Sequence, residues 1–330
     1  SLGYNPCMAH LPHVQSDPWE FAVDAVRSNT RAMLVYVVEY SGSVPGVTGT
    51  NVVVTESAFA GTIGGGAAEK ELVERALAHQ ASAEIVRFRH TPSDGGTLCS
   101  GLQIFALLSL TPAHEEALAQ IVRALAKHRT GTLHLGPDTF RFDDGPASPH
   151  VFTDEGSDWS YKGPLGLLET LTIVGGGHVA LAFSRLMVSL PYRVVVLDNR
   201  AELATLEANT FAHERRVVDY ADVAEHVPDG PRSWVVIMTY GHAHDRFVIE
   251  RLMGREYAYI GILGSKAKIR TMFAEMKADG TSPDFLESVR APVGLAIGSH
   301  TPEEIAVSIA GEMIALRNGL EPPCPPSTSR

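Results

Sequence analysis

The sequence predicts an α/β protein, with a C-terminal Rossmann-like parallel sheet covered by helices on both faces, joined to an N-terminal α+β domain. Three observations predict it. Beyond residue 170, continuous apolar runs alternate with helix-length segments: LTIV (171–174), VVVLD (194–198), WVVIM (234–238) and YIGIL (259–263). Runs of that kind are strands buried on both faces. The first run turns through three glycines into a helix (VGGGHVA, 174–180), and the second ends on an acid, Asp198. Before residue 143, helices and strands mix, and short turns such as Gly136-Pro137-Asp138 join neighbouring strands.

Taken in order, Asp17 caps a helix over 18–28, and AMLVYVVEY (32–40) is a β-branched buried strand. SGSVPGVTG (41–49) is a loop dense in turn residues. Two short strands follow in 51–66, then a helix over 67–80 and an alternating strand over 83–90. TPSDGGTLCSG (91–101) is a loop and LQIFALLSL (102–110) a buried strand. Residues 113–128 are helical, with Glu115 and Glu116 near the positive end of the helix dipole, and 131–142 form a hairpin. The polar, turn-rich segment 143–167 reads as a connection between domains, part of it available as an edge strand. The domains are therefore set at 16–142 and 168–320, with a Pro/Ser-rich, disordered tail over 321–330. In the second domain, strands are expected at 171–177, 192–200, 215–220, 234–240 and 257–265. Helices fill 178–190, 244–254, 266–278 and 302–318, the last opened by Thr301, Pro302 and Glu304 as a capping box.

Composition excludes some functions. The chain has 330 residues, 45% hydrophobic and 20% charged, with a formal net charge of −11. That balance argues against a nucleic-acid or membrane-surface partner, since both need a positive footprint. Cys7, Cys99 and Cys324 are too few and too scattered for a disulfide framework. Neither a leader sequence nor a run of about 20 apolar residues is visible, so a cytoplasmic location is expected. Cys7-x-x-His10-x-x-His13 has ligand-like spacing in an unpatterned segment and is not taken as a metal site.

Several stretches carry chemistry. Gly175-x-Gly177-x-x-Ala180, with Asp198 about 20 residues on, fits a dinucleotide fingerprint. Glycine amides and the helix start at His178 would face a diphosphate, and Asp198 a ribose hydroxyl. A turn that only packs is the alternative. The C-terminal edge of the same sheet carries His242, His244 and Asp245, which either bind a metal or move protons, or merely start a helix. It also carries Gly264-Ser265-Lys266, suited to a phosphate oxygen but lacking a full Walker pattern. In GTIGGGAAE (61–69), Gly64, Gly65 and Gly66 form either an anion-binding turn, opposed by the charges of Glu69 and Glu71, or a tight turn needing positive φ. Cys99, in GTLCSG (96–101), is a reactive thiol or an inert, partly buried one.

Together these stretches resemble the XdhC/CoxI accessory proteins that mature molybdenum hydroxylases such as xanthine dehydrogenase. The resemblance covers about residues 18–320 and rests on SGSVPG, GTIGGGAAE, GTLCSG, TIVGGGHVA, VVVLDNR, MTYGHAHD, YIGILGSKAK and the run 291–317. It implies a maturation factor rather than an independent enzyme. Such a protein binds and shields molybdenum cofactor, as molybdopterin or its dinucleotide form, supports its sulfuration with a cysteine desulfurase, and passes it to the apo-hydroxylase. The resemblance also implies a homodimer. On that reading Cys99 contacts molybdenum or carries sulfur, and Gly64–Gly66 with Ser100 and Gly101 hold the pterin end. Gly175, Gly177, His178 and Asp198, near His242, then hold a nucleotide end, while Gly264, Ser265 and Lys266 add positive potential; one extended anionic ligand would lie between the domains. Ser100 replaces a glycine common in relatives, Gly66 or Ala67 stands where the CoxI branch has a cysteine, and Tyr240 replaces a basic residue or histidine. The chain is thus nearer the XdhC branch. An NAD(P)-dependent oxidoreductase and a nucleotide-sensing regulatory module are the rival readings.

Overall fold

The computed structural model describes residues 11–78, 83–90, 100–156 and 158–321. Gly166 and Leu167 separate two lobes.

The first lobe runs β1 (His13–Val14), α1 (Pro18–Arg27), β2 (Ala32–Gly42), β3 (Asn51–Thr55), β4 (Phe59–Thr62), α2 (Gly66–Ala78), β5 (Ala83–His90), β6 (Gly101–Leu110), α3 (Glu115–Ala126), β7 (Gly131–Gly136), β8 (Thr139–Asp144), β9 (Val151–Glu155) and β10 (Asp158–Leu165). Asp17 caps α1 as expected, its carboxylate accepting from the amides of Trp19 and Glu20. The first sheet has the order β1-β4-β3-β2-β6-β5, antiparallel except for the β1–β4 pair. Alternation along β2 divides its side chains between two cores. Leu34, Tyr36 and Val38 face α1, α3 and the second sheet, while Met33, Val35 and Val37 pack with Leu72 and Ala76 of α2.

The second sheet, β8-β7-β10-β9, corrects the sequence reading. Residues 143–167 were expected as a connection, but β9 and β10 pair antiparallel and belong to the first lobe, which therefore extends beyond 142 to Gly166. Trp159 and Tyr161 point inward and are buried, while Asp158, Ser160 and Lys162 point out. The alternation spans only Trp159 and Tyr161 and is set among the turn residues Asp154, Gly156, Gly163 and Pro164, so it read as a connection.

The second lobe runs β11 (Glu169–Val174), α4 (His178–Met187), β12 (Tyr192–Asp198), α5 (Ala204–Ala208), β13 (Glu214–Val217), α6 (Val223–His226), β14 (Gly230–Ile237), α7 (His242–Leu252), β15 (Tyr257–Ile262), α8 (Lys266–Ala278), α9 (Pro283–Ser288) and α10 (Pro302–Arg317). Its sheet is parallel, in the order β13-β12-β11-β14-β15. One face packs on α7 and α8 through residues such as Val235, Ile237, Ile249 and Met272. The other packs on α4 and α10 through Ile173, Val196, Phe183 and Ile309. The doubly wound parallel sheet is the architecture expected. The capping box at Thr301 and Glu304 forms as its spacing predicts. Strand order reverses between β11 and β14, and this switch point is where such sheets bind ligands. No helix among the described residues is long and apolar enough to cross a membrane.

Candidate functional site

In the first lobe, topology brings the glycine motifs together. β2 and β4 end, and β6 begins, at the same end of the sheet, because β2 is antiparallel to both β3 and β6. SGSVPG, GTIGGG and Ser100-Gly101 therefore meet there. Gly42 pairs with Gly101 in the sheet register, and the Ser43 amide donates to the Ser100 carbonyl at 3.2 Å. Gly64 sits at φ +116°, and a Cβ there would come within 2.7 Å of the Gly46 nitrogen, so only glycine fits against SVPG. Beneath these loops runs a buried polar chain. Gln103 donates from Nε2 to the Gly46 carbonyl at 2.7 Å, which turns its Oε1 toward His90 Nε2 at 2.6 Å. His90 thus donates from Nε2. Cys99 lies outside the described residues, as do Cys7 and Cys324.

The turn at 64–66 departs from the expected phosphate cradle. Glu69 Oε2 accepts from Thr62 Oγ1 (2.6 Å), from the Ile63 amide (2.9 Å) and from the Gly65 amide (3.2 Å). The Gly64 amide donates to Thr62 Oγ1. The nest holds an anion, but the anion is the protein's own carboxylate, one helical turn into α2. Among the described residues, only Gly65 and Gly66 of this turn have no non-neighbouring atom within 4 Å of where a Cβ would stand.

In the second lobe, the fingerprint forms at the switch point. Gly175 adopts φ +112°, and a Cβ there would lie 2.3 Å from the Met238 carbonyl oxygen. The end of β14 presses directly on the turn. Gly177 caps α4 with no side-chain cap bond, and among the described residues no non-neighbouring atom lies within 4 Å of its would-be Cβ. His178 is exposed beside it. The turn thus presents backbone amides at a helix start that no side-chain cap covers.

Asp198 does not face a ribose position. Its side chain is 0% exposed. Oδ2 accepts from the Gly176 amide at 2.7 Å and from Arg200 Nη2 at 2.8 Å; Oδ1 accepts from the Arg200 amide and Nε, both at 2.9 Å. Burial opposes its ionisation, but the bonds from Arg200 and Gly176 outweigh burial and hold the carboxyl below the usual range. The acid organises the glycine turn and orients Arg200. That guanidinium lies 4.4 Å from the centroid of the half-exposed Tyr240 ring.

The HAHD cluster separates into three partnerships. His242 Nε2 lies 3.3 Å from Glu275 on α8, and His244 Nε2 lies 2.8 Å from the Tyr240 hydroxyl. Asp245 is buried, where it accepts from the Thr239 amide and from Lys268 Nζ. The three do not converge on a metal. Ser265 caps α8 by accepting from the Lys268 amide, and Lys266, at the first helical position, is exposed. The cation that reaches the strand ends is Lys268, two residues farther on. Gly264 packs against the Lys268 and Ile269 side chains. Sequence reasoning missed the roles of Lys268, Glu69, Gln103 and Arg200. A signal existed for Lys268, because a capped helix start at Ser265 sends the third residue after the cap back over the turn.

Comparison with known proteins completes the description of the site. Residues 171–313 match the XdhC Rossmann domain, and residues 25–89 match the XdhC and CoxI family. The uncharacterized protein YqeB of Escherichia coli K12 is 27% identical over 157 residues, which cover 46% of this chain and 28% of YqeB. A probable xanthine dehydrogenase subunit of Bacillus subtilis 168 is 28% identical over 147 residues, covering 44% of this chain and 42% of that protein. The matches thus span less than half the length of both curated relatives. A crystal structure described as a xanthine dehydrogenase from Bacillus halodurans shares the fold, with a TM-score of 0.70 at 20% identity over 93% of this chain and 97% of that one.

Proposed function

Since this chain belongs to the XdhC and CoxI family, we propose that it is an accessory factor for a xanthine dehydrogenase-type molybdenum hydroxylase. It binds molybdenum cofactor as cargo, shields it, supports its sulfuration by a cysteine desulfurase and delivers it to the apo-enzyme. The observation that carries this reading is the convergence of SGSVPG, GTIGGG and Ser100-Gly101 at one end of the first sheet. A surface that no dinucleotide fold requires is built there from closely packed glycines, on which Gly65 and Gly66 keep open outer faces. The open faces of Gly65 and Gly66 admit a flat pterin close to main chain, while Glu69 satisfies the amides behind them. The cargo phosphate then needs another donor than the Ile63 and Gly65 amides. Cys99 supplies the thiol that contacts the molybdenum centre or passes sulfur to it. The second lobe adds a nucleotide site at Gly175–Gly177, and the factor acts as a dimer.

Cargo that must be released is held moderately, at about micromolar, or roughly −8 kcal/mol. Protein purified from a molybdate-fed host, and kept throughout at concentrations well above micromolar, should carry pterin, read as fluorescence after oxidative release, together with molybdenum. Cys99→Ala should leave folding and thermal stability unchanged and abolish support of hydroxylase activity. Full maturation by that variant removes the thiol from the mechanism, and absence of pterin from every preparation removes the cargo.

A further inference from the structure

The nucleotide site of the second lobe has an unusual ribose position. In a dinucleotide-binding sheet the acid ending the second strand accepts from the ribose hydroxyls, which requires a carboxylate oxygen open to the ligand. Asp198 stands at that place and offers none. Both oxygens are spent on Gly176 and Arg200, and the side chain has no exposed surface. What the site presents instead is the Arg200 guanidinium, 35% exposed. Its pairing with Asp198 uses Nε and Nη2, so Nη1, which takes no part in that pair, is the donor left for a ligand. The Arg200 Cζ lies over the Tyr240 ring, 4.4 Å from its centroid, and that ring is itself 53% exposed.

From these contacts we infer that Arg200 is a specificity-determining residue, and that the second lobe selects a nucleotide carrying a phosphate on its ribose over one with a free ribose diol. The inference rests on the reading of Gly175–Gly177 as a nucleotide-binding turn and adds the chemical class of its ligand. The chemistry is that of a guanidinium fork fixed before the ligand arrives. Asp198 holds two of its three nitrogens and the Tyr240 ring packs against it, so little rotamer entropy is lost when a phosphate oxygen meets Nη1. A diol gains nothing comparable, because its acceptor is buried and already bonded. Such a ligand is separate from the cargo, whose dinucleotide form carries an unmodified ribose.

Titration calorimetry of the full chain with 2′,5′-ADP and with 5′-AMP, which differ only in the 2′ phosphate, tests this. The expected result is that 2′,5′-ADP binds about tenfold tighter or better, the value of one charge-assisted hydrogen bond. Arg200→Lys keeps a cation for the buried Asp198 but loses the fork, and should bring the ratio close to one while thermal melting stays cooperative. Tyr240→Ala, at an exposed position that leaves the Asp198 pair intact, should lower the ratio partially. Equal binding of the two nucleotides overturns the inference and leaves the nucleotide-binding turn standing. Binding of neither overturns both. A preference that persists in Arg200→Lys overturns the assignment to Arg200. The pterin content of the purified protein is independent of all these outcomes, so the cargo reading stands or falls separately.

Discussion

Asp198 shows how a residue can be placed correctly by sequence and still do different work. Its position, at the end of the second strand after a glycine turn, was legible from spacing alone. Its orientation was not, because that depends on Arg200 two residues later folding back over it. The consequence is a defined pH dependence. The folded carboxyl titrates below its ordinary value, so the unfolded chain binds the proton first. Stability from this group is therefore fully present above about pH 5 and is lost as pH falls below about 4, through the folded pKa. Asp198→Asn should be destabilised relative to the natural protein at neutral pH, since Asn cannot satisfy both Gly176 and the Arg200 fork. The difference between the two should shrink as pH is lowered. Urea unfolding at a series of pH values measures it, and a gap that stays constant down to pH 3 would show that Asp198 carries no charge worth stabilising. Glu69 gives the same lesson: a glutamate near a glycine nest reads as an electrostatic obstacle in sequence, whereas folding makes it the nest's occupant.

Elements with two or more turns or a continuous apolar run were legible nearly to their ends. α8 spans the predicted 266–278, and β5 spans the predicted 83–90. The short helices α5, α6 and α9 went unseen, because four to six residues hold too little periodicity to register. β13 is shorter than its apolar run implied, since it forms an exposed edge. Within the strand–turn–helix element that carries the fingerprint, the glycines look equivalent in sequence and are not. Gly175 is held by fold geometry, with positive φ and the Met238 carbonyl against it. Gly177 has ordinary φ and open space. Gly175→Ala should therefore cost more than about 2 kcal/mol of stability. Gly177→Ala should cost about 1 kcal/mol, the difference between a favourable and a poor helix cap. Yet Gly177→Ala places a methyl where a diphosphate approaches, so it should lose nucleotide binding while melting almost normally. Thermal denaturation beside calorimetry separates the two, and a Gly177→Ala protein that binds 2′,5′-ADP unchanged would remove this turn from the site.

At the scale of the whole molecule, the chain carries separate cores on either side of Gly166, and each lobe buries both faces of its main sheet internally. In the first lobe that closure depends on the segment read from sequence as a connection. Trp159 and Tyr161 join the core formed by α1, α3 and β2, and the Tyr161 hydroxyl lies 3.4 Å from that of Tyr36. Burial raises the pKa of both phenols, so they remain neutral partners across the ordinary pH range. Cutting the chain at 142, where the polar composition invites it, would strip a face of the core; cutting after Gly166 would not. Residues 11–166 and 167–321 made separately should each unfold cooperatively in urea, whereas 11–142 should be aggregated or non-cooperative. Trp159→Ala supplies the quantitative check in the intact protein. A buried tryptophan reduced to alanine should cost about 3–5 kcal/mol in the transition of the first lobe. The second lobe shares no part of that core, and its transition, followed by nucleotide binding at Gly175–Gly177, should keep its midpoint. An equal shift of both transitions would mean that the lobes unfold as one unit, and a cooperative 11–142 fragment would return β9 and β10 to the role of a linker.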